Sequence, residues 1–135
     1  GVSISEEDPA ELLGYRYPQL TVTADADDDE VYNMIKALDQ SFDLYKDATK
    51  VMARWNVEVS GTGPAGAPFH EGAVRYLTEA GVWTDESEAW NQASIARLAA
   101  VQEAWDAAIT KADEDGISAK EWPAFWAAYR AENLD

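Results

Sequence analysis

Apolar positions recur along this chain first at every second residue and then at helical spacing. In "QLTVTA", residues 19–24, Leu20, Val22 and Ala24 alternate with Gln19, Thr21 and Thr23. That alternation predicts a half-buried strand. From about Glu30 to Asp47 the period lengthens, and Val31, Met34 with Ile35, Leu38, Phe42 and Tyr45 fall on one stripe. The stripe predicts an amphipathic helix. Further helices are predicted over 69–80 and, as the longest, over roughly 86–112, where Trp90, Leu98, Val101, Trp105 and Ile109 share a face. Trp122, Phe125, Trp126 and Tyr129 mark a final short helix.

Stop and start signals frame these elements. Asp8, Pro9 and Glu11 cap a short helix in "DPAELLG" that Gly14 can end. Pro18 then holds Tyr17 in extended backbone. "DADDDE", residues 25–30, sets carboxylates at the positive end of the helix that follows, each stabilising by about 0.3–1 kcal/mol. "VEVSGTGPAGAP", residues 57–68, reads as a loop, and Gly81 closes the helix after it. Asp85 with Glu88, and Ser118 with Glu121, form capping boxes. Pro123 either makes the first turn of the last helix irregular or moves its start to near Trp122.

The expected organisation is therefore a single segment. Residues 1–27 hold a short helix and strand, 28–56 a helix, 57–68 a loop and 69–135 the C-terminal helices. The fold class is mainly α with a minor β element near the N-terminus. That strand needs neighbours which this chain hardly supplies.

Charge narrows the function classes. Against 26 acidic residues stand 10 basic ones, a net of −16. Nucleic-acid affinity comes from Lys and Arg on phosphates, so nucleic acid is excluded as a partner. Anionic membrane surfaces repel the chain for the same reason. Salt relieves the self-repulsion, so a salt-tolerant source and an ordinary acidic protein both fit. There is no Cys, which removes disulfides and thiolate sites. No apolar run approaches the ~20 residues that span a bilayer. The chain opens at Gly1 without Met or a signal-peptide pattern, from which upstream processing or trimming is expected.

Candidate chemistry is sparse. His70 is the single histidine. A zincin would need a second His four residues on, and position 74 is Val. Neither Ser60 nor Ser94 sits in a Gly-x-Ser-x-Gly elbow. The expected role of His70 is a hydrogen bond to backbone at a helix start. "KADEDGISAKEW" imitates a calcium loop but begins with Lys111 and ends with Trp122. "DADDDEVYNMIK" has Asp25, Asp27 and Asp29 in place, yet Glu30 stands where Gly is required. "GTGPAG" lacks the Lys-Ser/Thr of a phosphate loop. The reading is a non-enzyme with no cofactor, no metal site and no catalytic residue. The aromatic stripe 122–129 is either core or a partner surface.

Several stretches in order resemble one family. "VYNMIKALDQSFDLYKDATKVMARW" is similar to a helix of TAXI-type solute receptors of TRAP transporters, where Val-Tyr opens a helix carrying Lys-Ala-Leu. "PFHEGAVRYLTEAGVW" resembles their C-terminal signature at Pro68, His70, Gly72, Ala73, Tyr76, Glu79, Gly81 and Trp83. "AWNQASIARLAAVQEAW" is similar to the helical extension of longer members. The resemblance runs from about Leu20 to Leu134. It implies the C-terminal part of a type II periplasmic-binding-protein-like α/β fold, in which His70 belongs to a helix-start motif and Gly72 and Ala73 let helices approach closely. It also implies a periplasmic receptor that captures a small organic anion, a carboxylate or amino acid, and delivers it to TRAP membrane permease subunits. Whole members are over twice this length, so most ligand contacts would lie elsewhere. No ligand-binding residue carries over, Tyr15 and Tyr17 being the nearest guesses. An exposed strand edge would favour self-association. The other reading of the residues is a stand-alone acidic helical protein-interaction module, docking through Trp122–Tyr129.

Overall fold

The acidic run before the first helix does what its position suggests. Asp27 is the N-cap, its carboxylate accepting from the N–H groups of Asp29 and Glu30 at 2.9 and 3.0 Å. Two of the four orphan donors of the helix are thereby satisfied. A computed structural model describes residues 19–134, and helices dominate them. Their order is α1 (Asp28–Gln40), α2 (Phe42–Tyr45), a 3₁₀ turn (Met52–Trp55), α3 (Val57–Ser60), α4 (Glu71–Glu79), α5 (Asp85–Asp115) and α6 (Trp122–Asn133). The described chain forms two compact units divided after Thr84.

The first unit is organised by α1 against α4. Val31 on α1 and Ala73, Tyr76 and Leu77 on α4 are its buried apolar residues. Gly72 is buried where the helices come closest: a methyl group there would lie 2.3 Å from the Asp28 carbonyl oxygen and 2.9 Å from the Tyr32 nitrogen. Gly61, next to α3, is buried in the same way, its missing methyl replaced by Leu77. Helix α4 ends in a Schellman motif. Gly81 N–H donates to Thr78 and Val82 N–H to Leu77, and Gly81 supplies the left-handed φ of 75° that this requires.

Three expectations in this unit are corrected. "QLTVTA" forms no strand, and among the described residues there is none. Leu20 and Val22 are 52% and 42% exposed. A strand without a neighbour gains no ladder, so its backbone groups go to water and the alternating pattern has nothing to pack on. The helix expected over 30–47 starts earlier and breaks at Ser41. The break turns Phe42 and Tyr45 so that Tyr45 meets Phe42 edge-on at 5.6 Å and Trp55 at 6.2 Å. The Tyr45 hydroxyl donates to the Leu38 carbonyl in the last turn of α1. Part of the expected loop 57–68 is likewise helical, as α3. The short helix expected in "DPAELLG" and the extended "YRYP" lie outside the described residues.

The second unit is the α5–α6 hairpin. Helix α5 runs for 31 residues and closes on Gly116, φ 69°, with Gly116 donating to Asp113 and Ile117 to Ala112. The Ser118 N–H and hydroxyl both donate to the Glu121 carboxylate, at 3.0 and 2.6 Å, so this half of the expected capping box is present. These donors hold the Glu121 carboxyl below its ordinary range. Trp105 of α5 receives Trp122 and Trp126 of α6 edge-on, each 5.0 Å away. Phe125 and Tyr129 continue the ring array along α6.

Candidate functional site

Within the first unit the polar groups concentrate on the exposed side of the α1–α4 pair. The spacing of Tyr32 and Lys36 puts both on one face of α1. Facing them, Glu79 sits in the last turn of α4. Tyr32 donates its hydroxyl proton to Glu79, while Lys36 Nζ donates to the Tyr32 oxygen at 2.8 Å and to Glu79 Oε1 at 3.0 Å. The triad is thus closed on itself. The Tyr32 hydroxyl, followed by the Lys36 ammonium, holds the Glu79 carboxyl below its usual range, and the same contacts raise Lys36 above its own. Arg75 lies over the Tyr32 ring, 4.2 Å from its centre, and donates to Asp29 at 2.7 Å.

Deeper in, the buried Tyr76 donates its hydroxyl proton to Asp39 at 2.6 Å. Burial, then this hydrogen bond to Asp39, pushes the Tyr76 phenol up to about 12. Beside it opens a shallow hollow of about 430 Å³, lined by Asp39, Asn56, Val57, Glu58, Tyr76, Glu79, Ala80 and Val82. Three of these are carboxylates, and the nearby cations Lys36 and Arg75 are already engaged by Glu79 and Asp29. With Glu79 paired to Lys36, Asp39 and Glu58 give the hollow an acidic lining.

His70 is the N-cap of α4. Its Nδ1 accepts from the Gly72 N–H at 3.2 Å, which leaves the ring proton on Nε2. The Asp28 carboxylate lies 3.6 Å from the same nitrogen, and the His70 side chain is 10% exposed. Of the two serines weighed as partners, Ser60 donates its hydroxyl to the Asn56 carbonyl at 3.0 Å, and Ser94 lies inside α5. Neither calcium-like stretch is open as a loop. Asp27 caps α1, Asp29 holds Arg75, and Asp113 and Asp115 belong to α5. Among the described residues no group of three or more His, Asp or Glu side chains converges on a point that could hold a metal, and no helix is long and apolar enough to cross a membrane. Tyr15 and Tyr17 lie outside the described residues.

Sequence reasoning did not bring together Tyr32, Lys36 and Glu79, or Asp39 and Tyr76. The spacing of Tyr32 and Lys36 was visible within one helix, but nothing in the sequence paired α1 with α4; the resemblance named Tyr76 and Glu79 without giving either a partner.

The comparisons follow the same division of the chain. The family model described as the NMT1-like family matches residues 17–81. It is a periplasmic-binding-protein-type family of solute-binding proteins, generally non-enzymatic. The matched segment contains α1 to α4 and stops at Gly81, ahead of α5 and α6. No curated protein and no solved structure matches the chain.

Proposed function

We propose that this chain is the C-terminal portion of an extracytoplasmic solute receptor of the TAXI type, working in the periplasm. The whole receptor captures a small organic anion, a carboxylate or amino acid, and hands it to TRAP permease subunits in the membrane. Its role is binding and delivery, without catalysis or a cofactor. The observation that carries this reading is the family match over residues 17–81.

Two features of the chain support it. The signature positions Pro68 to Trp83 include the residues that seat α4 on α1: His70 as cap, Gly72 as the close approach, Tyr76 as the buried donor and Gly81 as the terminator. In addition, six hydrophobic residues are buried among the described ones while eight large apolar side chains are exposed, which suits a segment that packs against more of its own protein. The hollow beside Tyr76 has an acidic lining, so capture of an anion is assigned to the remainder of the receptor.

The test compares the longer reading frame with the 135-residue chain in a thermal-shift screen of small carboxylates and amino acids. A bound solute at 100 times its Kd should stabilise the longer protein by about 2.7 kcal/mol. The 135-residue chain should show no shift. A longer protein indifferent to the whole panel would overturn the proposal, and so would equal binding by the short chain.

A further inference from the structure

His70 Nδ1 has two neighbours that require opposite things of it. The Gly72 N–H, 3.2 Å away, needs a lone pair, whereas the Asp28 carboxylate, 3.6 Å away, needs a proton. One nitrogen cannot serve both, so the protonation state of the ring decides which contact is made. The neutral ring caps α4. An imidazolium carries N–H on both nitrogens, so it loses the Gly72 bond. It also sets a positive charge at a helix N-terminus, where the dipole opposes it. The His70 side chain is largely buried, and the Asp28 carboxylate stands across the α1–α4 contact from the nitrogen that has lost its donor.

The surroundings single out Asp28. On α1, the element packed against α4, the ionisable groups of the first turn are Asp28, Asp29 and Glu30, preceded by Asp25 and the cap Asp27. Asp27 accepts from two backbone N–H groups, Asp29 holds Arg75, and Asp25 accepts from Thr23. Glu30 on α1 and Glu71 on α4 are exposed. Residues 59–69, which lead into the ring, carry no ionisable side chain. Arg75 is the one cation of α4, and its bond to Asp29 leaves Asp28 to the ring.

We propose that His70 is an acid-operated switch at the α1–α4 contact: as the ring takes up a proton, Nδ1 passes from accepting the Gly72 N–H to donating to the Asp28 carboxylate. The tie made by this side chain then moves from inside the first turn of α4 to between the two helices, and α4 loses its cap. The switch stands on the geometry of the first unit and does not rest on the solute-receptor reading.

The experiment follows the full 135-residue chain, labelled with ¹⁵N, by NMR from pH 8 to pH 5. That range spans the ordinary titration of imidazole near 6.5, while aspartate, ordinarily near 3.9, stays ionised. At pH 8 the ring should carry its proton on Nε2. On acidification the Gly72 amide signal should move with the same midpoint as the ring nitrogens. Its exchange with water, corrected for the intrinsic pH dependence, should quicken about fivefold, the weight of one cap. A second arm measures urea unfolding of the unmodified chain, His70→Asn, Asp28→Asn and the double variant, since asparagine keeps an acceptor for the cap and takes no charge. From pH 8 to pH 5 the coupling between the two positions should grow by about twofold or more in the unfolding constant. The proposal is overturned if the Gly72 amide is indifferent to the titration of the ring, or if Nδ1 already carries the proton at pH 8. It is also overturned if the coupling is the same at both pH values. The NMR arm needs no substitution, so it decides the matter where a variant fails to fold.

Discussion

Gly72 serves the α1–α4 contact twice. Its N–H is the donor that His70 Nδ1 receives, and its missing side chain is the space that the first turn of α1 fills. An added methyl would meet the Asp28 carbonyl oxygen at 2.3 Å, the Tyr32 nitrogen at 2.9 Å and Val31 Cβ at 3.0 Å. Two of those three are backbone atoms, so no side-chain rotation relieves the clash. Gly72→Ala gains roughly 1 kcal/mol of helix propensity and meets an overpacking cost near 3, a net loss of about 2 kcal/mol. Gly66→Ala is the control, because the methyl there meets only the end of the Gln19 side chain. Urea midpoints of the two variants at equal m-value give the comparison. A Gly72→Ala midpoint at or above that of the unmodified chain would mean that α4 can slide on α1, and the close-approach account would be wrong.

At the scale of elements, the α1–α4 pair contains a group whose titration reports on it. Tyr76 is buried, its hydroxyl donates to Asp39, and its phenol is pushed up to about 12 from an ordinary value near 10. A folded value above the unfolded one means that the contribution is complete below about pH 10 and fades as pH rises through about 12. The stability of the unmodified chain relative to Tyr76→Phe should therefore fall steadily as pH rises through that window. Chemical denaturation at successive pH values measures it; a difference that stays constant would show that the phenol does not carry the effect. How legible these elements were in the sequence depended on where their cause lay. Local causes could be read: the acidic run that caps α1, the terminating Gly81, the Ser118–Glu121 pair and the α6 start near Trp122 all act within a few residues. Non-local causes could not. The alternation at Leu20 and Val22 has the right period for a strand, but period says nothing about whether a partner exists. The stripe through Phe42 and Tyr45 fits a continuous α1, and only Trp55 shows why the chain turns at Ser41. The candidate site divides in the same way, with His70 at its helix start foreseeable and the Tyr32–Lys36–Glu79 triad dependent on the α1–α4 pairing.

For the whole molecule the governing quantity is the excess of carboxylates. The ion pairs of the described chain are surface contacts: Lys36 and Glu79 are 32% and 53% exposed, Arg75 and Asp29 47% and 77%. Pairs of that kind contribute about 0–1 kcal/mol each, and salt weakens them. Against them stands the repulsion among charges summing to −16, which acts over longer distances and is screened by the same salt. The Debye length falls from about 10 Å at 0.1 M to about 3 Å at 1 M, so repulsion between charges a helix diameter apart is removed while contacts near 3 Å keep part of their strength. Stability should therefore rise with NaCl across that range, by several degrees in the melting temperature. Differential scanning calorimetry at fixed pH 7 tests the balance. If the melting temperature falls as salt is added, the few local pairs outweigh the net charge, and the acidity of this chain is not a source of strain that salt can relieve.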